Sequence, residues 1–374
     1  MYVILNVLLL IMAVIYMIGE ENIVVSQRKY VATIIVLFSA FLFSMRPADT
    51  KDTLGYINNY TNAEQFSNVN ITIFQKYKGY EIGYIYLMRF FKNITDNYRF
   101  LFFFIALTGI LLSVCSLKGI VGQLDRTTSN VLESNRDDTY FYFGTILVLY
   151  LCGYGMLYNG ISLRAGFSMG LSLFAICEAL KRKRVVALIY FFLAFLFQRS
   201  TAFFLFFAFL ILRFFPRQSR KVHACVWVIS GLIMFSGLSG IILPYIVSSL
   251  QTIILKFGMS GYNAFLVTLD NNIGIRDIYY WALYGFLIII CDESNTMQKY
   301  LNVVMFGELI VTFLYAVRAV ARAYDLFYLF DIPILYKYYN NITQNNNVFT
   351  ALSRIVVPLL CIMSGMLMLR LSFV

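Results

Sequence analysis

The chain has 374 residues, of which 60% are hydrophobic, 18% aromatic and only 13% charged, with a formal net charge of +11. Soluble domains carry about 45–50% apolar residues, and the mean hydropathy here is +0.74, so composition excludes a soluble enzyme and points to an all-α, polytopic integral membrane protein. The positive charge then belongs to membrane topology and to anionic lipid, not to nucleic acid.

Apolar segments that approach or cross a hydrocarbon core of about 30 Å recur from end to end. The predicted elements are 2–18, 30–45, 100–117, 140–158, 161–179, 185–197, 201–213, 222–243, 278–290, 301–317, 323–339 and 351–370. They amount to about twelve transmembrane helices, some short or re-entrant, in a single transmembrane domain over 1–374. The first has no basic residue before it and no small-residue cleavage site after it, which reads as a retained helix. Between the second and third lies the longest outward connection, 46–99. Its second half places Tyr80, Tyr84, Leu87, Met88 and Phe91 on one face, with Glu81, Arg89 and Lys92 partly off it, the pattern of an amphipathic helix in the interface. Asp49 and Asp52 lack a histidine or further acid beside them, so no metal is expected there.

Short loops rich in Lys and Arg stay in the cytoplasm. Arg28-Lys29, "KRKR" at 181–184 and "RFFPRQSRK" at 213–221 anchor three such loops. Walking the helices from these anchors puts the amino terminus, 46–99, 159–162, 198–200, 244–277 and 318–322 outside. Were 185–215 a single helix, Arg199 would sit near mid-membrane and "RFFPRQSRK" would be forced outward. Two short helices meeting at Gln198-Arg199-Ser200 are therefore expected. Arg199 then either snorkels to headgroups or serves a ligand.

Arg46, Arg89, Arg99, Arg164, Arg199, Arg276, Arg318 and Arg322 all fall on the outward side, against the positive-inside rule. An anionic ligand explains that excess, because planar guanidinium groups bind phosphate oxygens bidentately and keep their charge. Near a membrane this means a lipid-linked phosphate or pyrophosphate. Arg318, Arg322 and Asp325 are spaced i, i+4, i+7 along one helical face, as a ligand site or as an internal Arg–Asp pair. Glu308 lies within an apolar segment, as a cavity-lining or a paired carboxylate. The only histidine, His223, begins a helix at its cytoplasmic end, which removes the usual general base from an outer-face site. Six cysteines without a CxxC pair argue against zinc or a disulfide framework. There is no P-loop, GxSxG or dinucleotide fingerprint, and no cofactor is expected.

Several stretches resemble one family. "RPADTKDTLGYINNY" (46–60) resembles the Arg…Asp-Thr-x-x-Tyr loop of the EpsG-like group of Wzy-type polysaccharide polymerases, and "YEIGY" (80–84) its Glu-x-Gly-Tyr element. "YNGISLRAGFSMGLSL" (158–173) is similar to the family's Asn-Gly-x-Arg-Gln helix start, with Ala165 where Gln is usual. "FQRSTA" (197–202) occupies its His-Lys/Arg-Ser-Ala turn with Gln198 in place of His, and "ARAYDLFYLFDIP" (321–333) looks like its later Arg-x-x-Tyr-Phe helix. The resemblance implies a GT-C-like glycosyltransferase at the outer face of the bacterial cytoplasmic membrane. Its substrate would be a polyprenyl-pyrophosphate-linked oligosaccharide, moved onto another lipid-linked repeat unit. Membrane lipids and a chain-length regulator protein would be its partners. It further implies Arg164 and Arg199 at the pyrophosphates, with Arg318 or Arg322 completing the clamp and Arg46 a further candidate. Glu81 or Asp52 would take the acceptor proton or orient the sugar. Tyr56, Tyr84 and Asp325 would contact substrate. A flippase of lipid-linked oligosaccharide and an O-antigen-ligase-like transferase are the alternatives.

Overall fold

The computed structural model describes residues 2–50, 52–63, 81–128, 143–238, 273–291, 295–314, 321–343 and 348–371, with isolated positions between 240 and 252. Every regular element among the described residues is a helix. Tyr2–Gly19, Tyr98–Gln123 and Leu163–Leu180 are long and apolar enough to cross a membrane, and Phe143–Tyr158 and Arg184–Phe197 are shorter apolar helices. Large apolar side chains face outward on them. On the first helix Ile4, Leu8, Ile11, Ile15 and Ile18 remain exposed at spacings of three or four, a stripe that lipid accepts and water does not. The chain divides into two compact units, Met1–Phe206 with Tyr339–Val374, and Phe207–Tyr338.

The first unit contains α1 (Tyr2–Gly19), α2 (Val25–Ser44), α3 (Thr53–Thr61), α4 (Ile82–Ile94), α5 (Tyr98–Thr128), α6 (Phe143–Tyr158), α7 (Leu163–Leu180) and α8 (Arg184–Phe197). The first part of α9 (Arg199–Phe214) and the last helix, Val348–Leu371, also belong to it. Glycines let α5 and α7 approach closely. A Cβ at Gly109 would run into the Asn159 side chain, one at Gly166 into the Tyr158 carbonyl, and one at Gly170 would lie 3.0 Å from the Gly109 carbonyl. Helices in lipid gain from such small-residue contacts because dispersion, and not water exclusion, holds them together. Near its end α6 takes one π turn, Leu151–Gly155, after which the Tyr150 hydroxyl donates to Asn159 Oδ1.

The second unit contains the rest of α9, α10 (Arg220–Phe235), α11 (Ile275–Ile290), α12 (Asn295–Leu314), α13 (Ala321–Tyr328) and most of α14 (Asp331–Thr343). Its centre is a reciprocal lock between α10 and α11. The chain's two tryptophans, Trp227 and Trp281, stack with centroids 4.8 Å apart. Each indole N–H donates to the other's backbone carbonyl, at 3.0 and 3.1 Å. Each ring also lies over the glycine four residues beyond its partner, Trp227 over Gly285 and Trp281 over Gly231, where an added Cβ would come within 2.7–2.8 Å of the ring.

Most predicted segments recur as helices, with four differences. The loop 46–99 holds a helix in its first half as well, α3, whose buried residues Thr53, Tyr56 and Tyr60 have helical spacing. On α4, Arg89 is buried beside Tyr84, Ile85 and Met88, whereas sequence periodicity put it partly off that face. Tyr80 lies outside the described residues. The single segment expected over 323–339 breaks at Leu329 and Phe330 into α13 and α14. The segment expected to run to 243 ends as α10 at Phe235, two residues before Gly237 adopts φ +72°, the left-handed stop that glycine permits.

Two measurements check this packing. Stacked indoles couple their transitions, so the purified protein should show a far-ultraviolet exciton couplet that either Trp227→Phe or Trp281→Phe abolishes; survival of the couplet in either variant would contradict the lock. Gly166→Ala must displace backbone and should cost about 1–3 kcal/mol, read as lower thermal stability in detergent, while Gly122→Ala, with nothing within 4 Å of the new methyl, should be neutral.

Candidate functional site

The site is built outward from Arg46, at the end of the turn that follows α2. Its guanidinium is 2% exposed. Nη1 donates to the carbonyls of Gly160 and Ile161, at 2.7 and 2.8 Å, in the turn just beyond the end of α6. The group lies 4.3 Å from the Phe102 ring and 5.5 Å from Tyr56. Burial disfavours its charge, and Tyr56, Tyr2, Tyr84 and Asp52 work in the opposite direction. Nε and Nη2 are buried with no hydrogen-bond partner. A cation thus sits at the negative end of a helix, wedged between rings.

Above it, Arg164 occupies the first turn of α7 and Glu81 caps the start of α4. Arg164 Nη1 lies 2.5 Å from Glu81 Oε2, with the two side chains 18% and 17% exposed. This is the open tip of an otherwise closed cluster. Tyr56 and Tyr84 are buried, with ring centroids 5.6 Å apart. Both rings flank the Arg164 guanidinium, at 5.8 and 5.9 Å, and its Nε donates to the Tyr56 hydroxyl at 3.5 Å. The glycine between Glu81 and Tyr84 has a steric reason. A Cβ on Gly83 would lie 2.8 Å from the Leu196 carbonyl, so only glycine lets α4 begin against the end of α8.

That contact brings in the turn at 198. The chain breaks between α8 and α9 at Gln198, whose backbone is extended, as the charge argument required. The two helices meet through Ala194 and Ala202 and through Phe191 and Phe206, whose centroids are 5.3 Å apart. Ser168, one turn along α7 from Arg164, donates to the carbonyls of Ala194 and Gln198 at 2.9 and 3.2 Å. Arg199 therefore starts α9 at the same end of the unit as Arg164. Its side chain is exposed and near the Phe195 ring, 6.0 Å away, and it takes no part in the Arg164–Glu81 pair. Asp52 caps α3 in a left-handed conformation, φ +64°, which aspartate tolerates better than most residues.

In the second unit a separate polar cluster forms around Asp325. This carboxylate is fully buried. It pairs with Arg276 and accepts from the Tyr280 hydroxyl at 2.7 Å. Arg276 lies 4.9 Å from the Tyr324 ring, and the Tyr324 hydroxyl donates to Asp277 Oδ1 at 3.2 Å. Further along, the Tyr328 hydroxyl reaches the Tyr280 carbonyl at 3.0 Å and Glu308 Oε2 at 2.5 Å. Asp325 thus has an internal partner, supplied by α11. Arg318 and the side chain of Arg322 lie outside the described residues.

The structure brings Arg46, Tyr56, Glu81, Tyr84, Arg164 and the turn bearing Arg199 together from four separated stretches. Sequence reasoning did not foresee that Arg46 would be used on backbone, nor that Arg276 would answer Asp325. The signal for the second was present, since Arg276 and Tyr280 sit one helical turn apart at the start of an apolar segment.

A sequence model of the EpsG family matches residues 29–373. No curated protein and no solved structure matches the chain. With nearly its whole length matched, including every stretch that forms the Arg46 and Arg164 cluster, the chain belongs to the EpsG family of Wzy-like polysaccharide polymerases.

Proposed function

We propose that this protein lengthens a surface polysaccharide by moving a glycan from its polyprenyl-pyrophosphate carrier onto the sugar of another lipid-linked repeat unit. The observation that carries this reading is the Arg164–Glu81 pair, held half-open on a floor of Tyr56 and Tyr84. The transfer needs two complementary charges side by side. An acceptor hydroxyl attacks the anomeric carbon, the bond from that carbon to the phosphate oxygen breaks, and its electron pair leaves on the pyrophosphate. Glu81 would take the hydroxyl proton, with Asp52 as the neighbouring alternative, while Arg164 receives the departing charge. Arg199, at the same end of the unit, would reach the second phosphate. Donors fixed in place before the charge develops stabilise the transition state more than the ground state. Arg46 would add positive potential from below. Arg318 and Arg322 remain proposed contacts to the carrier, and Tyr56 and Tyr84 to the sugar.

We also propose about twelve membrane segments in a bacterial cytoplasmic membrane, with the Arg164 end facing outward and a GT-C-like arrangement. The cationic loops at 28–29, 181–184 and 213–221 support that orientation.

Arg164→Lys keeps the charge but loses the fork, and Glu81→Gln keeps the shape but loses the base. Each should lower polymer yield about ten- to a hundredfold at equal protein level. The double variant should cost less than the sum of the two in free energy, because both serve one step. Lipid-linked single repeats should accumulate at the outer face; repeats stranded inside would identify a flippase, and polymer of normal amount and length from both variants would remove the pair from the chemistry. In a background without native cysteines, Asp96→Cys should react with an impermeant thiol reagent on whole cells, and Arg182→Cys and Gln218→Cys only after lysis. The opposite pattern would invert the topology.

A further inference from the structure

The first unit has a second charged feature, at its other end. On α5, Phe102 touches the Arg46 guanidinium, and Lys118 lies sixteen residues further on, a rise of about 24 Å along the helix. The neighbouring helix agrees, because Gly119 packs against Cys177 near the end of α7 whereas Gly109 packs against Gly166 near its start. Lys118 is therefore on the face of Lys181–Arg184, away from the Arg164 cluster.

A cavity of about 390 Å³ opens there. Arg28 and Lys29 from the start of α2, Lys118 and Cys115 from α5, Tyr16 from α1 and Phe143 from α6 line it. Its size falls in the range of small-molecule sites. Three of these side chains are cationic. Arg28 is 5% exposed, and its Nε donates to the Ile23 carbonyl at 2.8 Å, which sets the guanidinium in place. Among the described residues, the acid beside this lining is Glu20, which interacts with Arg28 and is held by the Tyr16 and Thr145 hydroxyls at 3.3 and 3.0 Å. Burial pushes its carboxyl up to about 7, so Glu20 cancels only part of the positive charge.

The chemistry above the cavity narrows the ligand. Lys29, Thr33 and Leu37 stand at i, i+4, i+8 on α2, and Lys118, Cys115 and Leu111 at i, i−3, i−7 on α5, both running toward the Arg46 end. Leu37 and Leu111 are exposed, as are Ile34 and Phe41 beside them. Each wall therefore changes from cation to apolar along one helical face. We propose that this cavity binds the phosphate of an anionic phospholipid, with the acyl chains running along the Leu37 and Leu111 faces. A freely soluble phosphate would use the cations alone and gain nothing from those faces.

Cys115 supplies a local readout, since it lines the cavity and is exposed; Cys225 is the other exposed cysteine and serves as the reference. The full-length protein in detergent would be labelled with a maleimide in the presence of phosphatidylglycerol or phosphatidylcholine at equal mole fraction, and the two cysteines followed by peptide mass mapping. Phosphatidylglycerol should slow Cys115 about fivefold or more relative to phosphatidylcholine and leave Cys225 unchanged. Lys29→Gln with Lys118→Gln should abolish that difference, whereas Lys181→Gln with Lys183→Gln, on the same face but outside the cavity, should retain it. Equal protection of wild-type Cys115 by both lipids would overturn the proposal whatever the variants do. Equivalent protection by millimolar inorganic phosphate alone would assign the cavity to a soluble phosphate and overturn the lipid.

Discussion

The arrangement of the first unit depends on one buried guanidinium. Arg46 closes the carbonyl end of α6 and at the same time stacks on Phe102 and faces Tyr56, so a residue on the loop after α2 ties α3, α5 and α6 to one point. Charge-assisted hydrogen bonds of this kind contribute about 1.5–3 kcal/mol each. Removing the side chain would also leave two buried carbonyls without partners. The consequence for the site is geometric. Arg164 begins its helix only a few residues after Gly160 and Ile161, and its position follows from where those carbonyls are held.

Above this fixed point the chemistry becomes looser. Arg46 is enclosed, Tyr56 and Tyr84 are buried, and the Arg164–Glu81 pair is partly open. Exposure therefore rises in steps from a structural cation to groups that can meet a ligand. A partly exposed ion pair contributes little to stability, so its members can exchange partners without unfolding the cluster. The second unit behaves differently, with Asp325 and Glu308 fully enclosed by tyrosine hydroxyls and Arg276. A charge confined in that way is strongly committed to its partners.

How much of this was legible in the sequence depended on the kind of signal. Apolar runs long enough for a bilayer announced themselves, and the turn at Gln198 followed from charge placement alone, because a continuous helix would have put "RFFPRQSRK" on the wrong side. The members of the site were legible as polar residues where oil was expected, and as ordered motifs. Their contacts were not. Arg46 binds main-chain carbonyls, which every residue possesses and no sequence pattern marks. Asp325 has Arg322 at i−3, the local partner that periodicity suggests, yet the described partner is Arg276, forty-nine positions away. The short helix Thr53–Thr61 escaped because its buried stripe is two tyrosines and a threonine and not an apolar run.

The π turn at Leu151–Gly155 carries a consequence for the family's evolution. Such a turn holds one residue more than the helix around it needs. Winding Leu151–Gly155 as regular α-helix with every residue kept would rotate everything beyond it by about 100°. Asn159 would turn away from Tyr150, and the carbonyls of Gly160 and Ile161 would turn away from Arg46. An insertion of one residue in α6 and an arginine more than a hundred positions earlier are thus parts of a single device. Regular winding of the same residues would release position 46 to change, so across related chains an arginine there and a π turn in α6 are expected to be inherited together.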